Sequence, residues 1–388
     1  MNKKKLIRIV CLISIICIGI SSNIVFASEK LPFDIQSKSA LLLDFDSGEI
    51  IYEKNSDEKL PIASITKIMT ILLALESIEE GLISENDDIY VSSYAQSMGG
   101  STAFLEEGEI FPVSTILKAI IVASANDASV AIAEKISGSH EGFVHKMNQR
   151  AKELGMENTH FVNCTGLPDE NHYSTARDVA IMSRELLKQP LFFKWSTIWL
   201  DEMRDGRTML KNTNNLVRFY EGCDGIKTGY TKEAMHCISA TAKRNNLRLI
   251  AIILASPTSK LRFEEASKLL DYGFANYDSV KLFTKGQIID EAGEIRVTGG
   301  KTDTLKAVAS DDFSVLLKKD SSKDFEFILD IPEVVRAPVE KGEEIGTLKI
   351  VRQGNTIGEI GVEAEKDIGV ANLFDIFNKI LNGWLKKS

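Results

Sequence analysis

The sequence predicts an α+β fold, in which an antiparallel sheet and a block of helices share one domain. Apolar runs typical of strands occur near residues 40–52 and again over residues 226–255, with helical spacing between them. From about residue 280, short apolar runs alternate with Gly, Asp, Lys and Pro, which is typical of an all-β domain. This order of strands, helices and strands differs from alternating βα units and favours the α+β class.

The first 27 residues have the pattern of a secretory signal peptide. Four basic side chains within residues 1–8 precede an apolar run from Ile9 to Ile20, and Val25-Phe26-Ala27 supplies a small-x-small cleavage site. A membrane-spanning helix needs about 20 apolar residues, and Ser14 and Gly19 interrupt this run too early. We therefore expect cleavage after Ala27 and export of the mature chain.

The composition of the mature chain excludes several classes of function. Loss of four basic side chains with the signal changes the formal charge from −9 to −13, and such an acidic protein is not expected to bind nucleic acid. Cys164, Cys223 and Cys237 remain, an odd number without disulfide or metal-ligand spacing. We expect buried free thiols, and neither a metal site nor an organic cofactor.

Local patterns predict the elements of a first domain over residues 32–280. Two apolar runs around Asp46-Ser47-Gly48 predict a β-hairpin from Ala40 to Tyr52. Helical spacing predicts helices at Ser64–Glu79, Val113–Val122, Asp127–Ile136, Phe143–Leu154, Thr175–Leu187 and Ser259–Tyr277. Further strands are expected at Ile226–Thr228, His236–Thr241 and Leu247–Ala255.

A small all-β domain is predicted for residues 281–365, followed by an amphipathic helix over residues 370–388. The expected strands are Glu294–Val297, Thr304–Val308, Phe313–Leu317, Glu326–Ile331, Glu344–Val351 and Thr356–Val362. In the terminal helix, Leu373, Phe377 and Trp384 belong to an apolar stripe with Asn and Lys opposite. Such a stripe packs on a core or lies in a membrane interface, and its aromatic residues and Lys-rich end favour a membrane anchor.

Three short motifs occur in one order along the chain: Ser64-Ile65-Thr66-Lys67, Ser124-Ala125-Asn126 and Lys227-Thr228-Gly229. Each motif alone is common in a protein of this length, and its residues would then be helix caps or a solvated strand lysine. Together and in this order they are typical of serine β-lactamases and penicillin-binding proteins. They indicate acyl transfer through a serine.

The spacing of the first motif suits an activated nucleophile. Ser64 and Lys67, at i and i+3 on a helix, lie on one face, so the amine can reach the hydroxyl. The amine is a base only when it is neutral, and a nearby cation with partial burial would lower its pKa; Lys227 is the candidate for that cation. Free N–H groups at the start of the helix can stabilise negative charge on an attacked carbonyl.

The other two motifs offer contacts for a peptide. Ser124 and Asn126 are expected in a loop between helices, where a hydroxyl can relay a proton and an amide can hold a carbonyl. Lys227 and Thr228, on an edge strand, supply a cation and a hydroxyl for a carboxylate, and Gly229 permits close approach.

Two further residues are possible members of the site. His172 suggests a Ser–His mechanism, but no Gly-x-Ser-x-Gly elbow is present, so a structural histidine in a loop bordering the cleft is favoured. Arg262 would supply a second cation for a carboxylate or form an ordinary salt bridge.

The chain resembles the low-molecular-mass penicillin-binding proteins, the serine D-alanyl-D-alanine carboxypeptidase family with the β-lactamase/transpeptidase-like fold. The resemblance covers residues 32–365 and includes the segments Asp44–Gly48, Pro61–Lys67, Thr165–Asp169, Asp224–Thr231 and Asp271–Phe274. Residues 232–236 depart from the family pattern, which affects the rim of the pocket rather than the reaction class.

The resemblance implies a role for each motif residue. Ser64 would be the nucleophile, Lys67 its base and Ser124 a proton relay, while Asn126 would bind the substrate amide. Lys227 and Thr228 would hold the terminal D-alanine carboxylate. The backbone N–H groups of Ser64 and Tyr230 would form the oxyanion hole.

The implied reaction removes the terminal D-alanine from peptidoglycan stem pentapeptides, outside the cytoplasmic membrane, and β-lactams would acylate the same serine. A DD-endopeptidase shares this chemistry and differs only on the leaving side. A serine β-lactamase would use Glu170, but it has no need of the β domain and the anchor. An inactive wall-binding protein is the non-enzyme alternative, although Ser64, Lys67 and Lys227 are all present.

Overall fold

The structure is a computed structural model that describes residues 31–385, without the side chains of residues 380–385. The expected signal peptide, residues 1–27, lies outside the described residues. Helices and strands are both abundant, and the α+β class expected from the sequence is confirmed.

The helices and strands agree with most of the predicted elements. In the described part of the chain the α-helices are α1 (Lys67–Glu79), α2 (Ser93–Gln96), α3 (Val113–Ala123), α4 (Asn126–Ser137), α5 (His140–Glu153), α6 (Ala176–Leu186), α7 (Phe193–Ser196), α8 (Leu216–Phe219), α9 (Ser259–Asn276) and α10 (Leu373–Leu385). The strands are β1 (Ser39–Asp44), β2 (Ile50–Lys54), β3 (Asp88–Tyr90), β4 (Ile110–Pro112), β5 (Leu200–Met203), β6 (Thr208–Lys211), β7 (Cys223–Thr231), β8 (Met235–Arg244), β9 (Leu247–Ser256), β10 (Tyr277–Phe283), β11 (Glu294–Thr298), β12 (Thr304–Ala309), β13 (Phe313–Lys318), β14 (Glu326–Asp330), β15 (Val334–Arg336), β16 (Glu344–Arg352) and β17 (Asn355–Ala364).

A five-stranded antiparallel sheet in the order β2-β1-β9-β8-β7 forms the frame of the first domain. Helix α9 packs on the face that carries Leu42 and Leu249, where Gly273 leaves room for the Leu249 side chain. Helix α6 covers the opposite face, to which Ser183 is joined by a hydrogen bond to Ser239. Strand β7 is left as an edge, and a peptide can therefore pair with it.

A large apolar core lies between this sheet and the helices. Ile68, Ile71 and Leu72 of α1 are fully buried within it, together with side chains from α3, α4 and α5. Burial of each such side chain stabilises the fold by about 1.5–3 kcal/mol. The core therefore fixes the start of α1, and Ser64 in the turn before it, against the edge strand β7.

The C-terminal all-β domain has its own hydrophobic core, built around side chains such as Leu305, Leu348, Ile350 and Val362. Its six-stranded sheet has the order β14-β16-β17-β12-β11-β15, and β10 pairs with β13. All six predicted strands of this domain are present. The patterns did not reveal β10, which follows α9 without a break, or β15, which has only three residues.

Two local expectations differ from the structure, and one hairpin was missed. Ser64 does not open the α-helix but lies in a 3₁₀ turn, Ala63–Thr66, which Ala63 enters with a positive φ of 48°. Asn126 is the first residue of α4 rather than a loop residue. The hairpin β5–β6 was not predicted, since strands of four residues are too short to show alternation.

Helix α10 follows the β domain. None of the helices within residues 31–385 has the length and apolar character that crossing a membrane requires.

Candidate active site

Ser64 and Lys67 meet at the point where the 3₁₀ turn becomes α1. The Lys67 amine donates a hydrogen bond to the Ser64 hydroxyl over 2.9 Å, as the i, i+3 spacing predicted. It also donates to the Asn126 side-chain oxygen over 2.6 Å and to the Thr165 carbonyl over 2.7 Å. Ser64 is half-buried and Lys67 is fully buried, so the serine faces the cleft and the lysine stands behind it.

Burial lowers the pKa of Lys67 to about 7, although the nearby Asp127 carboxylate acts in the opposite direction. The burial expected for Lys67 is the main cause of this shift, whereas Lys227, the expected second cause, does not contribute to it. The reverse influence is present: burial first, and then the charges of Lys67 and Arg262, lower the pKa of Lys227. Near neutral pH a large fraction of Lys67 is therefore an uncharged amine.

A loop at residues 163–167 supports this pair and was not assigned a role from the sequence. The Asn163 side chain accepts hydrogen bonds from the backbone N–H groups of Thr165 (3.1 Å) and Gly166 (2.7 Å). Gly166 has a φ of +82°, and a Cβ there would lie 1.9 Å from the carbonyl oxygen of Ala63. The missing side chain lets the loop contact the 3₁₀ turn, which brings the Thr165 carbonyl to Lys67. The only sequence signal was the Thr165–Asp169 family segment.

The second motif forms the opposite wall. Ser124 ends α3 in the left-handed conformation, with φ +63°. The residue is only 4% exposed, and its hydroxyl has no hydrogen bond to any described residue. Both ends of the Asn126 amide are occupied, by Lys67 and by the Gly99 carbonyl over 2.6 Å. Asp127 accepts backbone N–H groups from residues 103 and 105, which fixes the adjoining loop.

The third motif lies on the edge strand β7. Lys227 is almost fully buried and donates to the Thr228 carbonyl over 2.9 Å, and Thr228 is joined through its hydroxyl to the Thr213 hydroxyl over 2.7 Å. A Cβ at Gly229 would lie 2.8 Å from the Ile62 carbonyl and 3.1 Å from the Ser64 nitrogen. Gly229 therefore allows β7 to approach Ser64 closely. Thr213 was missed because it belongs to no motif.

Tyr230 and Arg262 border this strand. The exposed ring of Tyr230 stacks on His236, with 4.4 Å between the ring centres, and forms the rim where the chain departs from the family pattern. The Arg262 guanidinium donates to the carbonyls of Gly229 (2.9 Å) and Cys237 (3.3 Å). Burial lowers the pKa of Arg262 to about 10. Among the described residues it forms no salt bridge, so that alternative is wrong, and the guanidinium instead braces β7 against β8.

His172 does not contact Ser64. Its ring is buried, with Nε2 2.7 Å from the Thr66 hydroxyl and Nδ1 accepting the Val162 N–H over 3.2 Å. Burial lowers its pKa to about 4. This placement favours the structural interpretation of His172.

Two other expectations concern residues outside the motifs. Cys164, Cys223 and Cys237 are buried free thiols, as predicted. Glu170, which a β-lactamase mechanism would use, is exposed and is not a hydrogen-bond partner of Ser64 or Lys67 in the described structure. Over residues 31–385, no group of three or more His, Cys, Asp or Glu side chains is arranged to hold a metal ion.

The family model of D-alanyl-D-alanine carboxypeptidases matches residues 25–258, which include all three motifs. The chain belongs to this family. A second family model, for the C-terminal domain of penicillin-binding protein 5, matches residues 277–370 of the chain. The family, the fold class and the enzyme class indicated by the sequence are thereby confirmed.

Known proteins resemble this family member over most of its length. The D-alanyl-D-alanine carboxypeptidase DacF of Bacillus subtilis is 42% identical over 355 residues, which cover 90% of each chain. The crystal structure of penicillin-binding protein 5 from Haemophilus influenzae has a TM-score of 0.75 and 30% identity, covering 88% of this chain and 100% of that chain. Ampicillin-bound penicillin-binding protein D2 from Listeria monocytogenes has a TM-score of 0.55 and 30% identity, covering 63% of this chain and 100% of that one.

Proposed function

We propose that this protein is a serine D-alanyl-D-alanine carboxypeptidase that removes the terminal D-alanine of peptidoglycan stem pentapeptides through an ester on Ser64. The observation that carries the proposal is the set of three hydrogen bonds around the Lys67 amine. β-Lactams are expected to acylate the same serine, since a relative of similar fold is known with ampicillin bound.

The partners of Lys67 direct its lone pair to the nucleophile. A neutral amine has two N–H groups and one lone pair, one donor fewer than the ammonium. The Asn126 side-chain oxygen and the Thr165 carbonyl can only accept, so they take the two N–H groups. The lone pair is then left for the Ser64 hydroxyl, whose proton it accepts as the oxygen attacks the substrate carbonyl.

Hydrogen-bond donors are needed to stabilise the negative charge that forms on the attacked carbonyl oxygen. The Ser64 N–H lies in the first turn of the 3₁₀ helix, where no acceptor within the helix is available. We assign this group and the N–H of Tyr230 to the oxyanion hole, because Gly229 brings β7 against the Ser64 nitrogen. An extended peptide paired with the edge of β7 would place its carbonyl between them.

Lys227 and Thr228 are proposed to bind the terminal carboxylate. The Lys227 amine is buried with one hydrogen bond, and an arriving carboxylate would favour its charged form. The Thr228 hydroxyl donates to the Thr213 hydroxyl in the free protein, and we propose that it turns to donate to the arriving carboxylate as the second contact. Arg262 acts by holding Gly229 in place rather than by touching the substrate.

Ser124 and Asn126 complete the proposed site. The free Ser124 hydroxyl can pass the proton taken by Lys67 to the leaving amine of D-alanine. Asn126 already binds Lys67 and Gly99, so we propose that it orients the base and offers its second N–H to the substrate amide.

The direct test is D-alanine release from a synthetic peptide ending in D-Ala-D-Ala. The mature wild-type protein should release one equivalent of D-alanine, whereas Ser64→Ala and Lys67→Ala should lose about 10³-fold or more in rate. Unchanged turnover by Ser64→Ala would exclude the proposal, and near-ultraviolet circular dichroism would confirm that the variants are folded.

We further propose that the protein is exported and divides into residues 32–280, 281–365 and an anchor at 370–388. The two separate hydrophobic cores support the division. Leu373, Phe374 and Phe377 of α10 are 87%, 71% and 61% exposed, so they do not pack on a core, while Lys379 binds the Gly300 carbonyl and Asp303 of the β domain. The helix is attached to the β domain through Lys379 and exposes an apolar face, as expected of a helix that lies in a membrane interface.

Vesicle sedimentation tests the anchor. The mature chain should sediment with phosphatidylglycerol-containing vesicles, and a Leu373→Ser, Phe374→Ser, Phe377→Ser variant should stay in solution. Equal sedimentation of the two proteins would exclude α10 as the anchor.

A further inference from the structure

A cavity in the first domain takes no part in the roles proposed above. It has a volume of about 270 Å³ and lies between α6 and the strands β1 and β2, and we call it the α6 cavity. These two strands lie at one edge of the five-stranded sheet, whereas β7, beside the active site, forms the other edge. The volume equals that of about nine water molecules, which is room for a ligand with a similar number of non-hydrogen atoms.

The floor of the α6 cavity is apolar. It is lined by Leu43 of β1, Ile50 of β2, Leu154 after α5, and Ala180 and Ile181 of α6. Leu43 and Ala180 belong to the buried core, while Ile50, Leu154 and Ile181 pack against that core and remain partly exposed. An apolar group that enters the cavity would therefore leave water and contact apolar side chains.

Charged side chains surround this floor. They are Arg177, Arg184, Glu185 and Lys188. The Arg177 guanidinium is paired with Asp57 over 2.7 Å. The Lys188 amine is paired with Glu185, also over 2.7 Å, and Glu185 lies 3.4 Å from Arg150 of α5 as well. The carboxylate on the rim is therefore already shared by two cations.

Arg184 differs from the other cations of the rim because its known partners are uncharged. Its guanidinium donates through Nε to the Phe45 carbonyl and through Nη2 to the Asp46 carbonyl, each over 2.6 Å. Within the described part of the chain it forms no salt bridge. The backbone of the turn between β1 and β2 therefore fixes the guanidinium in place without neutralising its charge.

Gly48 leaves room for the third nitrogen of this guanidinium. It has a φ of +75°, and a Cβ there would lie 3.0 Å from Arg184 Nη1. Both residues line the α6 cavity, and Nη1 donates no hydrogen bond to a described residue. A guanidinium stays charged at physiological pH, and its N–H groups suit a carboxylate. Arg184 thus presents a fixed positive charge and free donors at the wall of the cavity.

We propose that the α6 cavity binds a monocarboxylate with a short apolar tail. The carboxylate pairs with Arg184, and the tail lies on Ile50 and Ile181. An inorganic anion would leave the apolar floor in contact with water, and an uncharged apolar molecule would leave Arg184 without an anionic partner. The cavity is separate from Ser64, so this inference does not depend on the proposed function.

Calorimetric titration of the mature protein with octanoate tests the site, since the size of this ligand matches the cavity. We expect saturable binding with a Kd below about 1 mM. Octylamine has the same chain length and the opposite charge, so it should bind more weakly by about tenfold or more.

A second probe, N-acetyl-leucine, distinguishes two sources of such a ligand. One source is a free aliphatic acid, and the other is the carboxyl end of a peptide that finishes with an apolar residue. Tighter binding of octanoate would support the proposal with an aliphatic acid as the ligand, and tighter binding of N-acetyl-leucine would support it with a peptide end.

Variants of the wall and the floor locate the binding. Arg184→Gln should weaken the binding of octanoate by about tenfold or more, because the charged partner of the carboxylate is lost. Arg296→Gln, at an exposed arginine of β11, makes the same change of charge and should bind like wild type. Ile181→Trp keeps Arg184 but fills the cavity, so it should also weaken binding by about tenfold or more. Near-ultraviolet circular dichroism shows whether the variants are folded.

Absence of saturable binding of both probes to wild-type protein would overturn the inference, as would wild-type affinity in both Arg184→Gln and Ile181→Trp. Binding that is lost only in the Leu373→Ser, Phe374→Ser, Phe377→Ser variant would overturn it too, by assigning the probe to α10. If Arg184→Gln does not fold, Ile181→Trp and the comparison with octylamine decide the question. These measurements do not involve D-alanine release, so the proposed function is tested separately.

Discussion

His172 and Thr66 are joined by a hydrogen bond of 2.7 Å between the imidazole Nε2 and the threonine hydroxyl. The Val162 N–H can only donate, so Nδ1 is the acceptor, and the proton of the neutral ring is on Nε2. The imidazole thus connects the loop that carries Thr165 to the residue before Lys67. His172 is a positioning residue, and its neutral form is the one that fits.

This arrangement predicts a pH-dependent stability. The pKa of His172 is lowered from 6.5 to about 4. Between pH 6.5 and pH 4 the unfolded chain therefore binds a proton at this residue that the folded protein does not bind, so acid favours the unfolded state. Between pH 7 and pH 4, the free energy of unfolding of wild type should fall by about 3 kcal/mol more than that of His172→Gln. Urea denaturation at several pH values measures the difference.

His160→Gln is the matched control for that experiment. His160 lies in the same region, bonded to the Asn171 carbonyl, but its ring is exposed. His160 is a minor cause of the lowered pKa of His172, so His160→Gln should change the pH dependence much less than His172→Gln does. Parallel curves for wild type and His172→Gln would contradict the assignment of this pH dependence to His172.

Lys67 predicts the pH dependence of acylation. Its base form requires loss of the proton, so the second-order rate of acylation by a fluorescent penicillin should rise with pH through about 7 and then level off. Lys67→Arg keeps a cation that does not deprotonate and should be slower by about 10²-fold or more at every pH. A rate that is independent of pH between 5 and 9 would show that another group is the base.

The close contact between Gly166 and Ala63 predicts that a side chain at position 166 disturbs the turn that carries Ser64. In Gly166→Ala the new Cβ would lie 1.9 Å from the Ala63 carbonyl oxygen, so the 163–167 loop must withdraw and the Thr165 carbonyl must leave Lys67. We expect a loss of stability of about 1–3 kcal/mol or more and slower acylation by penicillin.

Gly155→Ala is the control that measures the destabilisation caused by a positive φ alone, without a steric clash at the new Cβ. Gly155 has a similar φ of +76°, but no atom lies within 4 Å of its expected Cβ. This variant should be destabilised by about 1 kcal/mol with normal acylation. If both variants acylate at the same rate, the contact between Gly166 and Ala63 has no functional importance.

Thr213 predicts a selective effect on substrate binding. Thr213→Val removes the hydroxyl that orients Thr228, so KM for a D-Ala-D-Ala peptide should rise by up to about tenfold while kcat changes little. Thr213→Ser keeps the hydroxyl and should retain the wild-type KM. A change of kcat alone in Thr213→Val would contradict the assignment of this hydroxyl to the carboxylate subsite.

The side chains at the centre of the site could be predicted because their chemistry depends on local spacing. The i, i+3 relation of Ser64 and Lys67 survives the change from α-helix to 3₁₀ turn, and β7 lies at the sheet edge as expected. The alternation of apolar residues likewise predicted the antiparallel strands of the β domain.

The remaining features depend on tertiary contacts that no local pattern encodes. The Thr165 carbonyl is a backbone group, which every residue carries, and Thr213 reaches Thr228 only after the chain has folded. The sequence suggested a neighbouring cation and partial burial as joint causes of the lowered pKa of Lys67; the main cause is complete burial, which is a property of the whole core.

Mass spectrometry of the mature protein after incubation with a penicillin tests directly whether Ser64 is the acylated nucleophile. We expect a covalent adduct of one penicillin per chain, located by digestion on the peptide that contains Ser64, and no adduct on Ser64→Ala. An adduct that persists in Ser64→Ala, or none on folded wild-type protein, would contradict the assignment of Ser64 as the acylated nucleophile.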